Sequence, residues 1–486
     1  MSVFNHTRKG YLLVGSAIAC GTWLACVPVT GLLAPFFLVI WWMRRSFGAR
    51  SGYPQLLLVV GLAALALRVL AVCVNGVAAY HVFGFAQPWD IIGDASSYHS
   101  HGYYIAHRVT GAVMPPYYKI FVHDVEHGGV LPAWNAYQVT GFSYWTAWLS
   151  ATFTPTPAMV QLANVLLNLT TALLCFHVAG RWIGRWAAAA SFIGIAWYPT
   201  LFAWSVSGLK EWSVTALSMG FILLLGTICQ RPIPIARLVM AVFFLVGMAA
   251  CVFVIRRDVS MVLTAIAVLL GACRLWMATR AWPGRQYFAF MLACAIVVTV
   301  LRHLSSLDAV IDRFFERSAI LCLNNYFAEL TASNYRFYPE RYYEHFSLLS
   351  QGILVGTRFT FVEQAVTAAQ GVARLMGSPF PDTLYRSRLL WALIPLAALN
   401  AFLAPLVLVG IWRGLKANAW LFGSLAGYLV IMAMAVGLRC GNAGLAIRLR
   451  DMLMPCYLLF AAIGAHVLVA KLASARQNGQ LEPGQA

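Results

Sequence analysis

The chain reads as a series of long apolar runs joined by short, mostly basic connections, with two long interruptions that are polar and aromatic. Runs of about 15 to 26 residues, near what a hydrocarbon core of ~30 Å requires, fall first at about 11 to 27, 29 to 43, 55 to 80, 158 to 180, 187 to 204 and 212 to 229. A second group follows at about 235 to 254, 259 to 277, 286 to 303, 389 to 412, 419 to 437 and 452 to 470. The expected fold is therefore all-α and polytopic, with about twelve transmembrane helices, because lipid offers backbone groups no partner outside their own helix. Arg8 and Lys9 ahead of an apolar run, with Ala17-Ile18-Ala19 downstream, look superficially like a signal peptide. The run continues past that point, which favours a retained first helix forming a hairpin with the second around Pro28 and Gly31.

These runs divide the chain into an N-terminal helical hairpin (1–54), a transmembrane core (55–303) that includes a first large loop at 81–157, a second large loop or partly helical cap (304–388), C-terminal transmembrane helices (389–472) and a disordered tail (473–486). Composition agrees: the 486 residues are 61% hydrophobic and only 10% charged. With a mean hydropathy of +0.74, that excludes an ordinary water-soluble domain.

Charge supplies orientation. Arg8 and Lys9, Arg44, Arg45 and Arg50, Arg181 and Arg185, Arg231 and Arg237, Arg274, Arg280 and Arg285, Arg413 and Lys416, and Lys471 and Arg476 all fall on one side of the twelve-span arrangement. By the positive-inside rule that side is cytoplasmic, as are both termini. Every Asp and Glu except Glu482 then lies outside, so the chemistry is expected there. The net charge of +18 becomes largely a topology signal and an attraction to anionic lipid, and no nucleic-acid motif competes with it. Of eleven cysteines, only Cys322 and Cys440 fall in outer loops. Two free thiols there are a simpler account than a disulfide.

Against this apolar background, Gly93-Asp94-Ala95-Ser96-Ser97-Tyr98-His99-Ser100-His101-Gly102 stands out just beyond the third span. It sets a carboxylate among hydroxyls and imidazoles, which makes Asp94 a candidate general base. His123-Asp124-Val125-Glu126-His127 offers ligand types that suit zinc or manganese. It lacks a second cluster at ligand spacing, so a solvated loop is the plainer reading and any metal is left open. The aromatic stretch from Trp134 to Trp148 fits an interfacial position better than a span. Arg68, mid-span, either faces a functional cavity or is held by a backbone carbonyl.

Three outer turns carry further candidates. Lys210-Glu211 opens a helix, where Lys210 either binds a phosphate or pairs with Glu211. Arg256-Arg257-Asp258 breaks the positive-inside pattern, with guanidiniums suited to phosphate oxygens or to Asp258. Arg448-Leu449-Arg450-Asp451 repeats the departure, a local Arg450–Asp451 bridge being its plain alternative. In the second large loop, Asn324-Asn325-Tyr326 and Tyr335-Arg336-Phe337-Tyr338 either line an acceptor site or seal the loop onto a membrane.

Taken together, Asp94-Ala95 with Tyr98, Pro199 followed by Lys210-Glu211, and Arg448-x-Arg450 before Pro455 resemble the motifs of the GT-C superfamily of polytopic glycosyltransferases, the group of protein O-mannosyltransferases and aminoarabinose transferases. The resemblance covers most of residues 55 to 470. It implies transfer of a sugar, with inversion, from a polyprenyl-phosphate donor to a saccharide, lipid or protein acceptor on the outer face of a bacterial inner or plasma membrane. It makes Asp94 the base; Lys210, Arg256, Arg257, Arg448 and Arg450 are the expected donor-phosphate ligands because positive charge is ordinarily kept out of such outer turns, with Tyr98 and Glu211 in support. The family's second acidic residue of the first loop has no obvious counterpart, Asp124 and Glu126 being the nearest candidates. The rival reading is a transporter or flippase of lipid-linked saccharides, which would place ionisable groups near the bilayer midplane; a third is a scaffold without chemistry.

Overall fold

The computed structural model describes residues 33–48, 52–83, 98–99, 101–102, 105–106, 111, 141–152, 157–230, 234–278, 315–316, 320, 360–378, 391 and 393–480. Among these residues the structure is helical, with no strand. The helices are α1 (Leu33–Phe47), α2 (Leu56–Phe83), α3 (Gly141–Thr152), α4 (Pro157–Trp182), α5 (Arg185–Trp197), α6 (Pro199–Ser205) and α7 (Glu211–Gln230). They continue with α8 (Ile235–Ile255), α9 (Arg257–Ala278), α10 (Phe361–Gly377), α11 (Ile394–Ala417), α12 (Ala419–Gly437), α13 (Ala443–Asp451) and α14 (Met454–Gln480).

Helices occupy ten of the twelve stretches expected to span; 11–27 and 286–303 lie outside the described residues. Seven of the described helices are long and apolar enough to cross a membrane, or eight if α5 and α6 together form one bent span. The protein is accordingly an all-α polytopic membrane protein. The stretch 187–204 is not one straight helix: α5 and α6 meet at a 55° bend. The cause is Pro199, which has no N–H to give the preceding turn and starts α6 at its first position. The tail also differs from expectation, since α14 runs to Gln480. Lys471, Ala473, Ala475 and Arg476 are good helix formers that extend a helix already nucleated in its apolar part.

The described residues form two compact units. The first holds α1 to α3, most of α4, the later part of α5, α6, the first turns of α7 and the segment Cys251–Arg257. Its aromatic centre sets Phe47 against Phe176 and Phe192, each at 4.8 Å between centroids. Gly61 lets α2 pass close to Met43 and Phe192. Trp42 Nε1 donates to His177 Nε2 at 2.9 Å.

The second unit holds the rest. Its tightest packing is between α11 and α14, where a Cβ on Gly410 would strike the backbone of Phe460 and a Cβ on Gly464 that of Leu406. Small residues let spanning helices touch backbone to backbone when no hydrophobic force separates protein from lipid. Gly410→Val is therefore expected to cost about 1–3 kcal/mol or more by overpacking, read as a lower melting temperature in detergent. An unchanged melting temperature would mean that the contact is looser than this geometry. Tyr457 OH donates to Asn400 O at 2.9 Å across the same pair of helices.

Candidate functional site

The site is built around the turn Val206–Lys210 that joins α6 to α7. A turn at a membrane surface needs its carbonyls satisfied, and α4 provides for this one. Asn164, fully buried on α4, donates through Nδ2 to Ser207 O and to Leu209 O, both at 2.8 Å. Ser207 Oγ donates to Trp204 O at 2.7 Å, closing the turn on α6. Gly208 then presses on the His99 ring, and a side chain there would collide with the imidazole.

Arg68 resolves in favour of backbone. Wholly buried on α2, it donates from Nε to Ser205 Oγ (2.8 Å), from Nη2 to Ala196 O (2.5 Å) and from Nη1 to Ala64 O (3.1 Å), with its guanidinium 4.4 Å from the Phe202 ring centroid. Ala196 belongs to the last turn of α5, where carbonyls lack intrahelical donors and a cation is favoured. The arginine thus holds together the two sides of the bend at Pro199 and fixes the angle at which the chain enters the 206–210 turn.

The described part of the first large loop is drawn onto this turn. Tyr98, Phe142, Leu149, Val160 and Leu209 form one buried apolar cluster, with Trp145, Trp204 and Ile255 packed around it. Tyr98 meets Phe142 edge-on at 5.4 Å between centroids. Gly102 lies against Thr146 of α3 so closely that a Cβ would not fit. The aromatic stretch expected at the interface is in part this helix α3, and its buried face serves the loop.

Charged groups gather where the turn enters α7. Lys210 Nζ stands 4.9 Å from the Tyr98 ring centroid. Glu211 is the first residue of α7, where a carboxylate suits the helix dipole. Arg256 pairs with it at 3.7 Å. That distance makes an ion pair, longer than a charge-assisted hydrogen bond. The glutamate side chain is 5% exposed and the arginine 18%, so the pair sits at the rim of the buried cluster. Among the described residues, two cations and one carboxylate supply the charge at this point. His99 adds none, because burial pushes its imidazole down to about 3; His101 is lowered by the same cause. Burial thus disfavours the charged form of both histidines.

The remaining sequence candidates divide. Asp94, the His123–His127 segment, Cys322, Asn324–Tyr326 and Tyr335–Tyr338 lie outside the described residues. Arg257, exposed at the start of α9, has its guanidinium 5.5 Å from the Phe253 ring. In the second unit, Asp258 pairs with Arg439 at 3.1 Å. Arg450, expected among the phosphate ligands, is turned into the fold. It is wholly buried, donates from Nε and Nη2 to Asp451 Oδ1 at 3.1 and 2.9 Å, and donates from Nη1 to Ser378 O. Residues two apart on a helix point about 200° apart, so Arg448 is half-exposed while Arg450 faces inward. Cys440 is a free, buried thiol, donating to Val436 O at 3.3 Å.

Asn164 was not among the sequence candidates. A signal for Asn164 did exist: Gln161, Asn164, Asn168 and Thr171 recur at helical spacing on one face of an apolar span, and all are buried. Among the described residues no group of three or more His, Cys, Asp or Glu is placed to hold a metal. Comparison of the chain with protein-family models, with curated proteins and with solved structures gives no match.

Proposed function

We propose that the protein is an integral membrane glycosyltransferase of the GT-C type, with twelve spans and cytoplasmic termini. It would transfer a sugar from a polyprenyl-phosphate donor to an acceptor hydroxyl on the outer face, with inversion. One observation supports the reading: Lys210 lies beside the Tyr98 ring and Glu211, ion-paired to Arg256, opens α7, both entering from a turn braced by Asn164 of α4. A leaving phosphate needs cations in a fixed, partly desolvated setting, where they are worth more than in water. Asp94 precedes Tyr98 by four residues, so the chain limits it to about 14 Å from that tyrosine's backbone.

In the proposed reaction Asp94 accepts the acceptor hydroxyl's proton as the oxygen bonds to the anomeric carbon. The bond from that carbon to the donor phosphate breaks, and the polyprenyl phosphate leaves with the electron pair, its charge met by Lys210 and Arg256. Tyr98 and Glu211 hold these two cations in place, and Arg257 adds positive charge nearby in sequence. Arg68 bears on the transporter reading, because an intramembrane arginine engaged by Ser205, Ala196 and Ala64 is spent on the fold.

The test is donor-concentration dependence of transfer in membranes supplied with radiolabelled polyprenyl-phosphate sugars. A charge-assisted hydrogen bond contributes about 1.5–3 kcal/mol, so Arg256→Ala is expected to weaken donor saturation about tenfold or more. Arg256→Lys should recover only part, because an ammonium lacks the planar fork. Glu211→Gln separates the roles. It breaks the ion pair but keeps the cation, so donor saturation should move far less than in Arg256→Ala. Equal effects in the two variants would reduce Arg256 to a partner for Glu211.

A further inference from the structure

The second large interruption, 304–388, reads from sequence as an outer cap, yet its described helix α10 is built inside out for a helix in water. Thr360 caps it: Glu363 N donates to Thr360 Oγ1 at 3.3 Å while Thr360 N donates to Glu363 Oε2 at 3.0 Å. The helix therefore starts at a defined point and has a fixed face. Inward it buries Gln364, Thr367, Ala368, Gly371 and Leu375. Outward it shows Val362 (67% exposed) and Val366 (50%), with Ala365, Ala369 and Ala373 along the same stripe and Gln370 at its flank. Its two charged residues, Glu363 and Arg374, sit near the ends and are half-buried. A helix packed on a protein and facing water carries its charges on the exposed side; this one exposes its β-branched apolar residues and buries amide and hydroxyl groups.

The height of α10 relative to the second unit is set by α12. Gly371 and Gly437 meet backbone to backbone, a Cβ on Gly437 coming within 2.6 Å of Gly371 C. Gly437 ends the spanning helix α12, so α10 crosses at the level where that span leaves the hydrocarbon. The last turns of α12 expose Val430, Ile431 and Met434, a surface that a spanning helix turns to lipid. Arg450 fastens the far end by donating to Ser378 O, and Ser378 Oγ donates to Arg374 O at 2.6 Å.

We infer that α10 is an interfacial helix whose Val362–Ala373 stripe lies in the acyl region of the outer leaflet, so that lipid is its partner. Helices of this kind lie in the plane of the interface with their apolar side in the acyl boundary. The inference stands whether or not the chain transfers sugars.

The experiment uses the full chain in vesicles of phosphatidylethanolamine and phosphatidylglycerol. A benzophenone amino acid replaces Val362, Val366 or Ala369 in turn, with Val430 as the lipid-facing control and Gln364 as the buried one. After irradiation, intact mass reports phospholipid adducts. Adducts at Val366 and Ala369 matching the Val430 control, with none at Gln364, are the expected result. A chain that forms adducts at Val430 but not at the three α10 positions faces water there, and cross-links from these positions to a second protein mean a protein partner; either outcome overturns the inference. All three sites are exposed, so each gives its own reading if one of them impairs folding.

Discussion

Asp94→Asn is expected to abolish sugar transfer while the protein still inserts and folds. A general base contributes about 10²- to 10⁴-fold, and the amide keeps the size of the carboxylate but cannot take the proton. What separates this change from a folding defect is the rigidity around it. The described residues nearest in sequence, Tyr98 and His99, are buried against Phe142, Leu209 and Gly208, contacts that do not depend on the charge at position 94. The measurement is initial transfer rate with radiolabelled donor, normalised to folded protein by size-exclusion elution. Near wild-type turnover at equal folded yield removes Asp94 from the mechanism and leaves the cations of α7 without a reaction to serve.

The second large effect concerns stability. Arg68→Leu removes three hydrogen bonds and the ring contact with Phe202 from a fully buried position. An acceptor left unsatisfied in a buried site costs about 1–3 kcal/mol, and here Ala196 O and Ser205 both lose their partner. The total should approach about 3–5 kcal/mol, a large part of the 5–15 kcal/mol that holds typical domains folded. Arg68→Lys places one ammonium where a fork reached three groups, so it should recover a minority of the loss. Thermal unfolding in detergent reads both variants. A leucine variant melting within a degree or two of wild type would show that the bend at Pro199 holds without its brace.

Sequence conveyed the elements better than their partners. Apolar run length located the helices because lipid leaves the backbone no alternative, and Glu211 at the head of α7 followed from dipole preference alone. The bend at Pro199 was hidden inside an apolar run because hydropathy carries no direction. Pairings were the least legible. Asp258 stands beside two arginines in the chain yet pairs with Arg439, 181 positions away. Glu211 stands beside Lys210 yet pairs with Arg256. In both cases the pairing reaches across the fold to a residue distant in sequence. Arg450 and Asp451 are the exception: neighbours on α13 that do bridge, the arginine reaching back along its own backbone.

That contrast between near and distant partners has a consequence in time. Arg450 emerges from the ribosome together with its counter-ion, so its charge can be matched as soon as the segment exists. Arg68 cannot be matched that way. Ala196 and Ser205 follow it by 128 and 137 residues, which at about 5–20 residues per second is a delay on the order of ten seconds. Throughout that interval α2 holds a guanidinium with only Ala64 O of its three native partners in place, so its native burial is incomplete. Its final burial waits on α5 and α6, and the N-terminal unit is completed from its middle, not from its start.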